Sequence, residues 1–289
     1  MPGAVRDQLN ACATAAHPAY AWPTPIVVTA WACVRASTAA DALVAALGRV
    51  RADLPAGALP WPAERAIVVG TRTAAYQETA RFVREIESVG PMLVNPALFP
   101  LTVMNATAGI AAIKHQCEGP NVTLTDGVNS ALDALVHGAD LIAANRAAIA
   151  FVGGFETDVD WLIGNSTGAP SAIALIAALM TAERAAATGT RVCGRLVATA
   201  WGAFLSAEPV DVESVTIGAA AEAAVRAIGV TPQPMAAERI TTGDAALPTL
   251  DRILTRLSTL SASVLVPLFA GPVDQMRGTA LLVTGGVAA

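Results

Sequence analysis

The segment GPNVTLTDGVNSALDAL, Gly119 to Leu135, is where this sequence comes nearest to chemistry. It reads as a buried strand, a sharp turn and a helix that starts under cover. In many enzymes such a turn presents a nucleophile at a helix N-terminus, where aligned N–H dipoles favour an anion. Here the turn is Thr125-Asp126-Gly127-Val128-Asn129-Ser130 and holds no cysteine. Ser130 is the remaining hydroxyl nucleophile. Its competing role is in the first turn of the helix, with Asp126, Asn129 or Ser130 as the cap. The cap is the preferred reading, since no histidine is evidently placed to activate the serine.

Other reactive side chains give weaker signals. Asp126 and Glu156 could form a carboxylate pair, although strand-end acids more often satisfy backbone N–H groups. His115 follows Lys114 at a helix end, where a cation suits the dipole. All three histidines, His17, His115 and His137, precede residue 138. Cys12, Cys33, Cys117 and Cys193 are scattered without a C-x-x-C pair, and read as small buried hydrophobes. Neither a metal site nor a cofactor is expected.

The elements around the turn follow from hydrophobic spacing. Residues 1–24 are rich in Ala and Pro with little period and read as an arm. Pro25–Val34 is a buried strand, and residues 38–50 carry Leu43, Leu47 and Val50 at helical spacing. Arg65–Thr71 is a strand and Thr79–Val89 a surface helix. Leu101–His115 reads as a helix of small residues, with Val103, Ala106, Thr107 and Ile110 at i, i+3, i+4 and i+7 as a buried stripe. Strand 121–125, helix 130–146 and strand 147–156 follow. Residues 171–188, opening SAIALIAALM, read as a buried helix, and 191–204 as a strand. A weaker second round comes last: helix 214–229, strand 237–243, helix 247–260 and strand 278–286. Strands apolar on both faces, alternating with helices, predict an α/β fold with a mainly parallel sheet. Two βαβ halves of unequal length predict an internal duplication with a reduced second copy.

Composition narrows the partners. The chain has 289 residues, 54% hydrophobic and 14% charged, with a net charge of −5. So apolar a composition implies that a partner covers part of the surface. No Arg/Lys stripe is present, which argues against nucleic acid. The most apolar run is too short to span a bilayer. The N-terminus MPGAVRDQLN lacks the order of a secretion signal, so a cytoplasmic location is expected.

The stretch NPALFPLTVMNATAGIAAIKHQCEGPNVTLTDGVNSALDAL, with VGGFE at 152–156 and STGAPSAIALIAALMTAERAAATGTRVCGRLVATA after it, resembles the N-terminal half of β-ketoacyl synthases. The likeness covers roughly residues 25–205, leaving 206–289 as a reduced C-terminal half, and it implies a layered, thiolase-like α/β fold. In that family a cysteine on the turn takes the acyl chain, and two histidines from the second half promote decarboxylation. Spacing from Gly119-Pro120 puts Val128 at the cysteine's place, and the second half has no histidine. A valine forms no thioester and moves no proton. The resemblance is nearest to the chain-length factors of type II polyketide synthases, which lack the cysteine and often carry glutamine there. It implies a heterodimer with a catalytic ketosynthase subunit and service to chains on an acyl carrier protein. It also puts Val103, Ala106, Thr107 and Ile110 near the acyl tunnel or interface. An independent acyltransferase or hydrolase using Ser130, or a pure scaffold subunit, are the alternatives.

Overall fold

The computed structural model describes residues 20–158, 171–203, 233–234, 238–240, 246–259, 264–270 and 277–285. The first strand, β1 (Tyr20–Ala36), begins five residues before the expected start, so Tyr20 to Thr24 belong to the sheet. His17, Cys12 and the helix expected over 214–229 lie outside the described residues.

Helix α1 (Ala39–Asp53) starts where Thr38 accepts a hydrogen bond from the Asp41 N–H. Its Leu43, Leu47 and Val50 are fully buried. Each such side chain contributes about 1.5–3 kcal/mol relative to exposure. Then come β2 (Arg65–Gly70), α2 (Tyr76–Val89), a 3-10 helix at Pro96–Thr102, α3 (Ala106–His115) and β3 (Asn121–Leu124). The helix expected from Leu101 is therefore broken. Pro100 stands inside the 3-10 stretch, and α3 begins only at Ala106. Helix α4 (Ser130–Ala143) and β4 (Ile149–Thr157) follow as expected.

The run Ala172–Thr181 is a strand, β5, and not a helix; only the short α5 (Ala182–Ala187) follows it. A continuous apolar run has no period to distinguish the two. Packing decides it, because β5 lies between β4 and β1 with both faces covered. Ile173, Leu175, Ala177 and Leu179 join the core on one face, and Ala174, Ile176, Ala178 and Met180 the core on the other.

The second round contributes β6 (Gly194–Ala203), the short β7 (Gln233–Pro234) and β8 (Glu238–Ile240), α6 (Ala246–Thr259), β9 (Val264–Ala270) and β10 (Arg277–Gly285). The sheet order is β3-β2-β4-β5-β1-β6-β10-β9-β7, with β8 also on β9. The sheet is mixed rather than mainly parallel. β2 runs parallel to β3 and β4, but β5 is antiparallel to both β4 and β1, and β1 to β6. Antiparallel neighbours need no crossover helix, so misreading β5 as a helix concealed them. Outward from the β1–β6 pair, β5 and β4 on one side answer to β10 and β9 on the other. α4 leads into β4 as α6 leads into β9 in chain order.

Helices cover both faces. Leu132 and Leu135 of α4, with Leu247, Leu250 and Leu254 of α6, build one core against Val68 and Val152. Leu43 and Leu47 of α1, with Ala108, Ala111 and Ala112 of α3, build the other against Val69 and Phe151. Among the described residues no single helix is long and apolar enough to cross a membrane.

Candidate functional site

The turn between β3 and α4 sits on the ends of β2 and β4. Gly70 ends β2, and a Cβ there would land on the Ser130 carbonyl. A Cβ on Gly154 would lie 2.6 Å from the Gly70 carbonyl oxygen. Glycine at both places lets the helix start press against the sheet. Gly127 takes φ +57, the left-handed conformation glycine adopts without penalty. Gly127, Val128 and Asn129 form one 3-10 turn, and Ser130 opens α4.

Ser130 is buried, 2% exposed. Its Oγ accepts from the Asp126 N–H at 2.8 Å and donates to the Gly127 carbonyl at 2.8 Å. The hydroxyl thus closes the turn on itself and satisfies main chain with both of its functions. These bonds run back into the turn, so Ser130 does not cap α4; Asn129, at the N-cap position, makes no side-chain cap bond, and its buried Oδ1 has no partner among the described residues.

Glu156 ends β4 and is 7% exposed. One carboxylate oxygen accepts from the Arg72 N–H at 2.9 Å. The other accepts from the Thr73 N–H at 3.2 Å and the Thr73 hydroxyl at 3.0 Å. Arg72 Nε stands 3.7 Å away. Both oxygens are therefore engaged with the 72–73 turn and not with Asp126. Burial pushes the carboxyl above the usual range, while the Arg72 and Thr73 contacts pull it down.

His115 corrects a sequence expectation. Burial holds its pKa below the usual histidine value, and nearby Arg51 and Lys114 lower it further, against a raising bond to Val44. Nε2 lies 2.9 Å from the Val44 carbonyl, which can only accept, so the proton sits there. Nδ1 then accepts from Arg51 at 3.3 Å. The cation at the end of α3 is Arg51, which donates to the His115 carbonyl at 2.7 Å. His115 is a neutral link between α1 and α3. Burial also raises the thiols of Cys33 and Cys117 to about 11, and it raises Cys193 as well. None of the three is poised as a thiolate. Among the described residues, no cluster of His, Cys, Asp and Glu could hold a metal ion.

The stripe of Val103, Ala106, Thr107 and Ile110 does not form one buried face. Val103 precedes the helix and is 47% exposed, Ile110 is exposed, and Ala106 is half-buried; Thr107 is buried. Ala108, Ala111 and Ala112 face the core instead, and small side chains there let α3 approach the sheet.

Sequence reasoning also missed two anchors on β1. The Trp22 indole donates to Asp140 of α4 at 2.8 Å, joined by the Tyr20 hydroxyl at 2.9 Å. The Trp31 indole donates to Asp251 of α6 at 3.2 Å. One strand thus holds the two helices that cover one face. An aspartate on an otherwise apolar helix face was the available signal.

A glycine-seated turn joins a parallel edge strand to a buried helix inside a mixed sheet covered on both faces, the layered α/β arrangement of a thiolase-like fold. Residues 53–190 match the family model of the beta-ketoacyl synthase N-terminal domain. The 3-oxoacyl-[acyl-carrier-protein] synthase 2 of Coxiella burnetii is 31% identical over 67 residues, 23% of this chain and 16% of that protein's length. Among solved structures, the ishigamide ketosynthase/chain length factor aligns with a TM-score of 0.60 at 16% identity, over 91% of this chain and 100% of that one. A type II polyketide ketosynthase in complex with its acyl-carrier protein aligns at 0.62 and 13%, over 90% and 83%. An oxazolomycin ketosynthase domain of Streptomyces albus JA3453 aligns at 0.61 and 13%, over 91% and 96%. By sequence, then, the segment 53–190 is related to the β-ketoacyl synthases, and by fold the described chain is ketosynthase-like.

Proposed function

We propose that this chain is a non-catalytic, chain-length-factor-like subunit that pairs with an active ketosynthase in type II polyketide or fatty-acid-like biosynthesis. The carrying observation is a nucleophile turn kept in form and emptied of chemistry. Val128 stands in the 3-10 turn where a thiol would be needed, and Ser130 bonds Asp126 and Gly127 of its own main chain. His115, bound to Val44 and Arg51, is not available as a base.

The partner surface is proposed on β3, which forms one edge of the sheet, and on α3 with the loop before it. An unpaired edge strand offers a row of backbone donors and acceptors. In the loop before α3 Met92, Leu93, Phe99 and Met104 are exposed, and on α3 Ile113, apolar surface that water does not favour. In this arrangement Val103, Ala106 and Ile110 face the partner and border the growing acyl chain. The partner's cysteine does the chemistry, decarboxylative condensation on carrier-bound chains.

The test is reconstitution. The purified chain alone should not condense malonyl and acyl carriers, and the co-expressed pair should run as a 1:1 complex that does. Turnover should vanish when the partner's cysteine is changed and survive Val128→Ala. Sustained condensation or hydrolysis by the single chain, lost in Ser130→Ala, would establish the independent enzyme instead. Normal turnover by the ketosynthase without this chain would overturn the proposal outright.

A further inference from the structure

At the opposite end of β2 from the nucleophile turn lies a cleft of about 510 Å³ lined by Leu59, Pro60, Trp61, Pro62, Glu64, Arg65 and Arg184. That size suits a small ligand. Two guanidinium groups reach one short stretch of chain there. Arg184 donates to the Ala58 carbonyl through Nε at 3.4 Å and a terminal nitrogen at 3.2 Å. Arg65 donates through Nε to the Pro60 carbonyl at 2.8 Å and through a terminal nitrogen to the Gln116 carbonyl at 3.1 Å. These are neutral acceptors. The acceptors of both arginines are main-chain carbonyls and not carboxylates.

An arginine has five N–H donors, so each guanidinium keeps unused donors after these bonds, in an orientation its carbonyl partners fix. The single acid of the lining, Glu64, has a carboxylate oxygen on the Trp61 N–H at 3.2 Å. Two positive charges therefore face one negative charge. Trp61, 80% exposed, adds a large aromatic surface to the same wall, between Pro60 and Pro62. An exposed indole on the same wall as two half-buried guanidinium groups matches an oxyanion carried on a flat apolar body.

We infer that this cleft binds a small organic oxyanion, a phosphate monoester or carboxylate on an aromatic or apolar body, with Arg65 and Arg184 on the anion and Trp61 on the body. The site is separate from the nucleophile turn and does not depend on the subunit role proposed above.

The probe is phenyl phosphate, with inorganic phosphate and neutral benzyl alcohol as comparators. The full-length chain is labelled with 5-fluorotryptophan, and the Trp61 resonance is the one missing from Trp61→Phe. Phenyl phosphate should shift that resonance saturably and bind more tightly than inorganic phosphate, with benzyl alcohol producing no saturable shift. Arg184→Gln, checked by thermal melting, should weaken phenyl phosphate about tenfold or more, the usual cost of losing a charge-assisted contact. Should that variant not fold, Trp61→Ala at an exposed position serves by calorimetry. It should weaken phenyl phosphate and leave inorganic phosphate unchanged. No saturable shift with either anion, equal binding by folded Arg184→Gln, or equal phenyl phosphate binding by Trp61→Ala would each overturn the inference.

Discussion

The nucleophile turn and the outer face built by α2, the following loop and α3 lie in the same half of the molecule and were left in opposite conditions. In the turn Ser130 closes on Asp126 and Gly127 and Glu156 holds the 72–73 turn, while the buried Asn129 Oδ1 has no partner among the described residues. On the outer face no residue of α2 is fully buried, and Met92 is 92% exposed. The contacts of α2 include Phe82 against Phe99 with ring centres 5.9 Å apart, Glu85 accepting from the Asn95 N–H at 3.0 Å, and Gln77 donating to the Ser37 carbonyl at 3.0 Å. The turn is tied together by bonds to its own main chain. The face is apolar and exposed.

That contrast is broken most directly at the turn. Gly70→Val would drive a side chain into the Ser130 carbonyl, backed by main chain that cannot yield. The expected loss is about 4 kcal/mol or more, among the largest single-residue effects. It would be read as loss of soluble protein or of a cooperative melt. A stable Gly70→Val variant would mean that the turn does not press on the sheet.

Ser130→Ala should cost about 1–3 kcal/mol, because it leaves a partly buried Asp126 N–H without its acceptor. Denaturant melts measure it. A nucleophile would behave differently, since removing one often leaves stability unchanged or improves it.

A pH scan separates His115 from the surface. Its folded pKa is depressed, so the unfolded chain binds the extra proton first. Stability from this residue is full above the unfolded pKa and drains as pH falls through the folded one. Protonation at Nδ1 would also set it against Arg51. The melting temperature should drop as pH falls below the usual histidine value, and His115→Gln should flatten that drop. Glu156 runs the other way. Its raised pKa means that ionising it costs stability as pH climbs above the ordinary carboxylate range, so Glu156→Gln should tilt the acid side of the curve.

The smallest effect on folding belongs to the outer face. Met92→Lys should change stability by no more than about 0.5 kcal/mol. In the proposed pair it should weaken assembly, and alone it should reduce self-association in light scattering. Ala106→Phe tests the same face for chain length. Complexes that still assemble should release shorter products, and an unchanged distribution would remove α3 from control of length.

The sequence by itself carried the first half well. Alternating elements, the helix of Leu43, Leu47 and Val50, the glycine-ended β2 and the strand–turn–helix at 121–143 are set by local period and by glycine positions, and they stand as read. The absence of a thiol in the turn is likewise a fact of sequence alone. Tertiary structure decided what local pattern leaves degenerate. SAIALIAALM has no period, so only a core on each face makes it β5 and turns the sheet mixed. Val103 and Ile110 sit at helical spacing with Thr107, yet the packing of Ala108, Ala111 and Ala112 turns them outward. His115 next to Lys114 reads as a cation from sequence, and its burial, with Arg51 arriving from α1, disfavours the charge. The cleft of Arg65 and Arg184 joins residues 119 positions apart, a separation across which no local sequence pattern operates.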